Sequence, residues 1–246
     1  MDEAEDGVVL FSLGSNAKSS HLSTTKIDIL LKVFSKLKQR VIMKWEADDL
    51  DGKSNNVFTA KWLPQDDILA HPKLKLFISH CGLGSVVESK YHGVPIVGMP
   101  IFADQMINVD VVVTEEWGLK VDFGSFDENI LLSAVEEVLT NPKYTAKVKY
   151  LSDLYRDRPM SAKETAIYWV EYVIKHKGAP HLRYSGADLN FLQYNSLDVI
   201  TFITLIIVTV FTINIKIFNF LILIIFRNKK QTTVPKKSKK SKKKTK

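Results

Sequence analysis

Short apolar runs alternate along the chain with stretches in which apolar residues recur every three or four positions, the pattern of parallel strands covered by helices. The runs GVVLFSL (7–13), RVIMKW (40–45), VFTAKWL (57–63), LKLFIS (74–79) and PIVGMP (95–100) predict strands. Between and after them, Thr25–Gln39 carries Ile27, Leu30, Leu31, Phe34 and Leu37 on one face. Asp66–Ala70, Gly84–His92, Gln105–Trp117 and Glu128–Leu139 also have helical spacing. Five or so strands interleaved in this way make one doubly wound α/β domain. Two further helices, Tyr144–Arg156 and Ala162–Lys177, are separated by a segment containing Pro159, which cannot sit inside a helix. Both are expected to pack on the domain, which then spans residues 1–180, with a linker over 181–198.

A different pattern follows. From Val199 to Phe226, 21 of 28 positions are Leu, Ile, Val or Phe, enough to cross a bilayer core. Lys216 interrupts the run, but a central lysine costs about 3 kcal/mol against roughly −6 to −12 kcal/mol for the apolar residues, so insertion wins. A buried core helix is the alternative, and the lack of a polar face argues against it.

Charge is distributed unevenly. The formal net charge is +7, yet residues 227–246 hold 11 of the 34 Lys and Arg residues and no acid, leaving 23 against 27 acids in residues 1–226. A mildly acidic domain lacks the basic face that nucleic acid binding needs, so no nucleic acid partner is expected. The lysines beside the span predict a cytoplasmic tail and a lumenal domain. The final KKTK matches a dilysine signal for return to the endoplasmic reticulum as well as it matches any lysine-rich end. The acidic start MDEAEDGVVL has no export signal, so an upstream part is expected to complete a longer precursor. Cys81 is the single cysteine, which excludes an internal disulfide and a CxxC metal site.

The stretch SHCGLGSVVES (79–89) holds the most chemistry. In an open α/β sheet, ligands sit beyond the carboxyl ends of strands. His80 would stand at such an end, Gly82 and Gly84 would admit a ligand close to the backbone, and the following helix would point its positive end at an anion. Glu88, one turn on, repels phosphate but can accept hydrogen bonds from ribose hydroxyls. A nucleoside diphosphate carries both groups. Two alternatives stand beside this. Ser85-Val86-Val87-Glu88 is also a capping box, and Gly82, Gly84 and Val87 have the spacing of a dinucleotide fingerprint, with valine in place of its third glycine. The loop SLGSN after the first strand offers Gly14, Ser15 and Asn16, by themselves only a turn.

Taken together, KWLPQDDILAHPKLKLFISHCGLGSVVESKYHGVPIVGMPIFADQMIN (61–108) closely resembles the signature of the UDP-dependent glycosyltransferases. Trp62, Pro64, Gln65, His71, Pro72, His80, Gly82, Ser85, Glu88, Gly93, Pro95, Pro100, Asp104, Gln105 and Asn108 stand in register. GVVLFSLGSN, RDRPM and YWVEYVIKHKGAPHLR are similar to the animal branch, insect members especially, and a span with a basic tail is that branch's architecture. Cys81 replaces a usual glycine of animal members, and Lys90 is a less usual residue expected to face solvent.

The resemblance implies a GT-B fold, of which this chain matches the C-terminal, Rossmann-like donor-binding domain. It implies that Trp62 stacks on uracil, Gln65 lies near base and ribose, His80 contacts the pyrophosphate and Glu88 the ribose hydroxyls. It also implies that Ser15 and Ser85 help hold phosphate, with Gly82 beside them, while Asp104 and Gln105 bond the sugar; His71 is structural. The expected ligand is a UDP-sugar, with no metal or other cofactor. The acceptor pocket for a small lipophilic molecule and the catalytic histidine belong, by resemblance, to an N-terminal domain, so no catalytic residue is assigned here. The expected activity is inverting glycosyl transfer; the alternative is a catalytically silent UDP-sugar-binding membrane protein, or a partner subunit of a full-length or split enzyme, in a homo- or hetero-oligomer.

Overall fold

The computed structural model describes residues 1–231. Six strands form one parallel sheet: β1 (Val8–Ser12), β2 (Arg40–Lys44), β3 (Val57–Ala60), β4 (Leu74–Ser79), β5 (Ile96–Gly98) and β6 (Gly118–Lys120). Their order is β3-β2-β1-β4-β5-β6. All of β1 is buried. Its side chains alternate between two cores, Val9 and Phe11 on one face and Val8 and Leu10 on the other, which explains why it reads as a continuous apolar run.

Helices cover both faces: α1 (Thr24–Lys36), α2 (Gln65–Ala70), α3 (Leu83–His92), α4 (Gln105–Thr114), α5 (Glu128–Thr140) and α6 (Pro142–Arg156). Local sequence starts several of them. Ser23 caps α1 by accepting from Lys26 N, Asp127 caps α5 by accepting from Ile130 N, and Asn141 caps α6 with Pro142 at its first position. Leu30 and Phe34 of α1 join Leu131 and Val135 of α5 in the first core, with Phe34 edge-on to Phe11 at 5.5 Å. Leu69, Val86, Val109, Val112 and Val148, from α2, α3, α4 and α6, build the second.

Two expectations change. The helix expected over Gln105–Trp117 stops at Thr114, because Glu116 turns the chain with φ +59°. Trp117 is then fully buried beside the sixth strand, its carbonyl accepting from Ile96 N. A Cβ on Gly118 would lie 2.3 Å from the Ile96 carbonyl oxygen, so only glycine lets β6 approach β5. Lys90 does not face solvent freely: its ammonium pairs with both carboxylate oxygens of Glu115, at 3.1 and 2.8 Å.

Met1–Ser161 forms one compact unit, and the chain from Ala162 onward forms another. The division falls at Ser161, where the sequence pattern placed the end of the domain at 180. The second unit holds α7 (Ala162–Lys175), α8 (Phe191–Tyr194) and α9 (Leu197–Gln231). Within α9, the 28 residues Leu197–Ile224 are long and apolar enough to cross a membrane, and their most apolar window is not buried among the described residues. The lysine-rich tail expected over 227–246 lies, from residue 232, outside the described residues.

Candidate functional site

The strand order reverses between β1 and β4: the chain leaves β1 toward β2 and leaves β4 toward β5. Loops that diverge in this way leave a crevice beyond the strand ends. The two strands end level, Ser12 opposite Ser79. Each serine hydroxyl accepts the backbone N–H two residues on, Gly14 N at 3.2 Å and Cys81 N at 3.1 Å, so both loops turn at once away from each other. A cleft of about 500 Å³ opens there, walled by both loops, the end of β2, the start of α2 and the first turn of α3.

His80 stands at its floor, held between two glycines. A Cβ on Gly14 or on Gly82 would lie 2.6 Å from the imidazole ring, so the ring occupies space that any other residue would fill. His80 Nδ1 is buried with no partner among the described residues. Burial pushes the His80 pKa below its ordinary value; a hydrogen bond donated by the ring to the Ser12 backbone and the charge of Asp104 oppose this, and Lys44 adds to it. Burial thus favours the neutral ring.

Cys81, the next residue, takes the left-handed conformation with φ 61°. The glycine that the resemblance leads one to expect here suits that conformation. The cysteine fits because Gly98 opposite has no side chain: a Cβ there would lie 2.6 Å from Cys81 Sγ. Burial pushes the thiol up to about 12, so it is no nucleophile.

The first turn of α3 has no side-chain cap. The backbone N–H groups of its first residues are left for a ligand, with Leu83, Gly84 and Ser85 on the wall of the cleft. Ser85 is the third residue of the helix, so the capping-box alternative fails. Its hydroxyl instead accepts from Gln65 Nε2 at 3.1 Å, and the same amide donates to Glu88 Oε2 at 2.6 Å. One amide thus orients a hydroxyl and a carboxylate, leaving the second carboxylate oxygen to accept from a ligand.

Trp62 is 74% exposed on the same wall. A large indole left open beside a cleft, and not packed in the core, offers a stacking surface. Ser15 and Asn16 also line the cleft. Of the sequence-selected residues, Ser15, Trp62, Gln65, His80, Gly82, Ser85 and Glu88 come together there.

Asp104 and Gln105 are not on that wall. Asn108 Nδ2 donates to Asp104 Oδ2 at 2.8 Å and to the Cys81 carbonyl at 3.0 Å, tying Asp104 to the His80 turn. Gln105 is buried, and its Oε1 accepts from Ile101 N at 2.8 Å and Phe102 N at 3.0 Å, which leaves its NH2 end to reach a ligand. His71 is a strut: its Nδ1 accepts from Lys73 N and its Nε2 lies 3.0 Å from Asp2 Oδ1.

Lys44 is a charged residue of the cleft wall that sequence reasoning did not select. It ends β2, is 8% exposed, and donates to the Gly14 carbonyl at 2.6 Å, with Glu46 at 3.3 Å and the Trp62 ring centre 5.5 Å away. Its signal was faint, a lysine closing an apolar strand. Among the described residues, no three His, Cys, Asp or Glu side chains converge as a metal set.

The chain was compared with known proteins. A family model described as "UDP-glucoronosyl and UDP-glucosyl transferase" matches residues 2–232. The chain is 45% identical over 213 residues to "UDP-glycosyltransferase UGT5" of Dactylopius coccus, covering 87% of this chain and 40% of the relative. It is 40% identical over 206 residues to "UDP-glucuronosyltransferase 2B1" of Rattus norvegicus, covering 84% of this chain and 39% of the relative. It therefore spans about two fifths of the length of these relatives. Among solved structures, Os79 from O. sativa in complex with UDP superposes with a TM-score of 0.61 at 22% identity, over 71% of this chain and 42% of that one. The glycotransferase of kitacinnamycin gives a TM-score of 0.54 at 25% identity, over 61% and 39%. These likenesses establish the fold as that of GT-B glycosyltransferases over about two fifths of their length, and the extent of the sequence match makes the chain a member of the UDP-glucoronosyl and UDP-glucosyl transferase family.

Proposed function

We propose that the cleft between the β1 and β4 loops binds the nucleoside diphosphate of a UDP-sugar and that the chain is the donor-binding half of an inverting glycosyltransferase. One observation carries this: an exposed indole, a half-buried imidazole and a Gln65-linked hydroxyl and carboxylate converge on one cleft at the start of an uncapped helix. Uracil stacks on Trp62, with Gln65 near base and ribose, and Glu88 accepts the ribose hydroxyls. The pyrophosphate meets the His80 N–H, Ser15, Ser85 and the free N–H groups of α3 beside Gly82. Lys44 adds a positive charge that favours the anion. Asp104 and Gln105 Nε2 reach the sugar.

In such a transfer the acceptor oxygen attacks the anomeric carbon as the bond to the β-phosphate oxygen breaks. Groups that favour charge on the departing UDP lower that barrier. The proton of the acceptor goes to a base that, by resemblance, lies in the part of the longer relatives outside the match, together with the pocket for a small lipophilic acceptor. Donor binding by this half does not depend on that base. The helix Leu197–Ile224 anchors the protein in the endoplasmic reticulum membrane, with the domain lumenal and the lysine-rich tail cytoplasmic.

Calorimetric titration of the detergent-solubilised chain with UDP tests the reading. Binding is expected, and His80→Ala should weaken it by roughly 1.5 to 3 kcal/mol, the range for a hydrogen bond to a charged group. UDP binding that is absent, or unchanged in His80→Ala, would count against it. Transfer to a phenol by the chain alone, and by the chain mixed with an intact relative, separates an active half from a silent UDP-sugar-binding protein.

A further inference from the structure

The second unit shows large apolar side chains to solvent well before α9 begins. Leu182, Tyr184, Leu189, Phe191, Leu192 and Tyr194 are all exposed, with Tyr184, Phe191 and Tyr194 at 78%, 74% and 73%. Tyr194 stands three residues before Leu197, where the apolar helix starts. Aromatic rings interspersed with leucine next to a span are the composition of the membrane–water boundary.

Two further features suit this segment to a lipid surface. Part of its backbone is satisfied locally, since Leu182, Arg183, Ala187, Leu189, Tyr194 and Asn195 donate to carbonyls three or four residues back. Asn190 and Gln193 complete a capping box on α8. These N–H groups stay paired when water is withdrawn, and the remainder can face the hydrated headgroups. The only charged side chains between 182 and 194 are Arg183 and Asp188, and they pair with each other at 3.3 Å. The helix is also broken before the span, by Ser196 at φ 55°, so α8 is not the first turn of α9.

We infer that residues 182–194 form a second membrane contact, lying in the headgroup layer beside the anchor and seating Tyr184, Phe191 and Tyr194 among the lipids. This rests on the proposed reading of Leu197–Ile224 as a membrane anchor. The occupant is the bilayer of the anchor itself, because the segment is continuous with the span and within reach of a headgroup layer about 5 to 8 Å thick.

The single cysteine makes the test clean: Cys81 is buried and its thiol is pushed up to about 12, so an environment-sensitive fluorophore will label introduced cysteines instead. The full chain is placed in phosphatidylcholine nanodiscs carrying lipids spin-labelled near the headgroup. Single labels are introduced by Phe191→Cys, Tyr184→Cys, Ile207→Cys in the span and Lys38→Cys on the exposed surface of the first unit. Phe191 and Tyr184 labels should emit to the blue of the Lys38 label and be quenched several-fold more by the spin-labelled lipid. Emission and quenching equal to those at Lys38 would overturn the inference, as would a blue shift without lipid quenching, which would mean protein covers the segment. An Ile207 label left unquenched by lipid spin-labelled at the acyl-chain end would show instead that the anchor reading fails; an Ile207 quenched by that lipid beside silent Phe191 and Tyr184 would sink this inference alone.

Discussion

The wall of the cleft and the neighbouring start of α4 use their polar side chains in opposite ways. On the wall formed by α2, α3 and the β4 loop, Trp62 is open, His80 has an unpartnered nitrogen, and Gln65 aims Ser85 and Glu88 together. At the start of α4, Asp104 and Gln105 turn their oxygens back onto the protein, one to Asn108 and the other to the backbone of Ile101 and Phe102. The first side is prepared for a ligand. The second holds its own loop, and what it can give a sugar is limited to the remaining oxygen of Asp104 and the NH2 of Gln105. Residues that resemblance groups as one binding set thus divide into groups left open on the cleft wall and groups that hold a loop.

The largest expected effect tests that division. Gln105→Leu removes the acceptor for two backbone N–H groups at a buried position and should destabilise the fold by about 3 kcal/mol in chemical denaturation followed by tryptophan fluorescence. Gln105→Glu keeps an acceptor oxygen, so stability should return while donation to the sugar is lost. If Gln105→Leu left stability untouched and changed only ligand affinity, the two sides would be alike and the comparison would fail.

Next in size, Trp62→Ala should weaken UDP binding by about 2 kcal/mol through loss of base stacking, with little change in stability because the ring is open to solvent. A loss of stability as large as the loss of affinity would make Trp62 a packing residue. His80 sharpens the same point through pH. Its folded pKa lies below the ordinary 6.5, so between those two values the unfolded chain binds more protons than the folded one. The stability this contributes is present above about pH 6.5 and is lost as pH falls through the folded pKa. Denaturation midpoints measured from pH 7.5 to 5 should fall for the native chain and fall less for His80→Asn.

Much of this was legible in advance, for physical reasons. Five strands and the first-core helices followed from periodicity, because β1, β2 and β4 are long enough to show a pattern and α1 has a single buried face. The sixth strand did not, since Gly118–Lys120 is three residues long and follows directly on a helical pattern. The Gln65–Ser85–Glu88 group joins positions twenty residues and more apart in sequence, so spacing within 79–89 suggested a capping box as readily as a ligand site. Lys44 stayed hidden because its role depends on the Gly14 carbonyl thirty residues away. Lys90 was misplaced because its partner Glu115 lies on another element.

The smallest effect concerns Cys81, where the ligand wall meets the packed core. Its left-handed backbone costs about 1 kcal/mol for a residue with a Cβ, and its buried side chain returns a similar amount through packing. Cys81→Gly removes both and should leave stability within about 1 kcal/mol of the native chain. Cys81→Ala keeps the strained backbone and loses the sulfur, so it should be the less stable of the two by several tenths of a kcal/mol up to about 1 kcal/mol. The opposite order in thermal melts would mean that the turn is shaped by the thiol packed against Gly98 and not by the backbone. That outcome would move the origin of the His80 geometry from the glycine-flanked loop to the core beneath it.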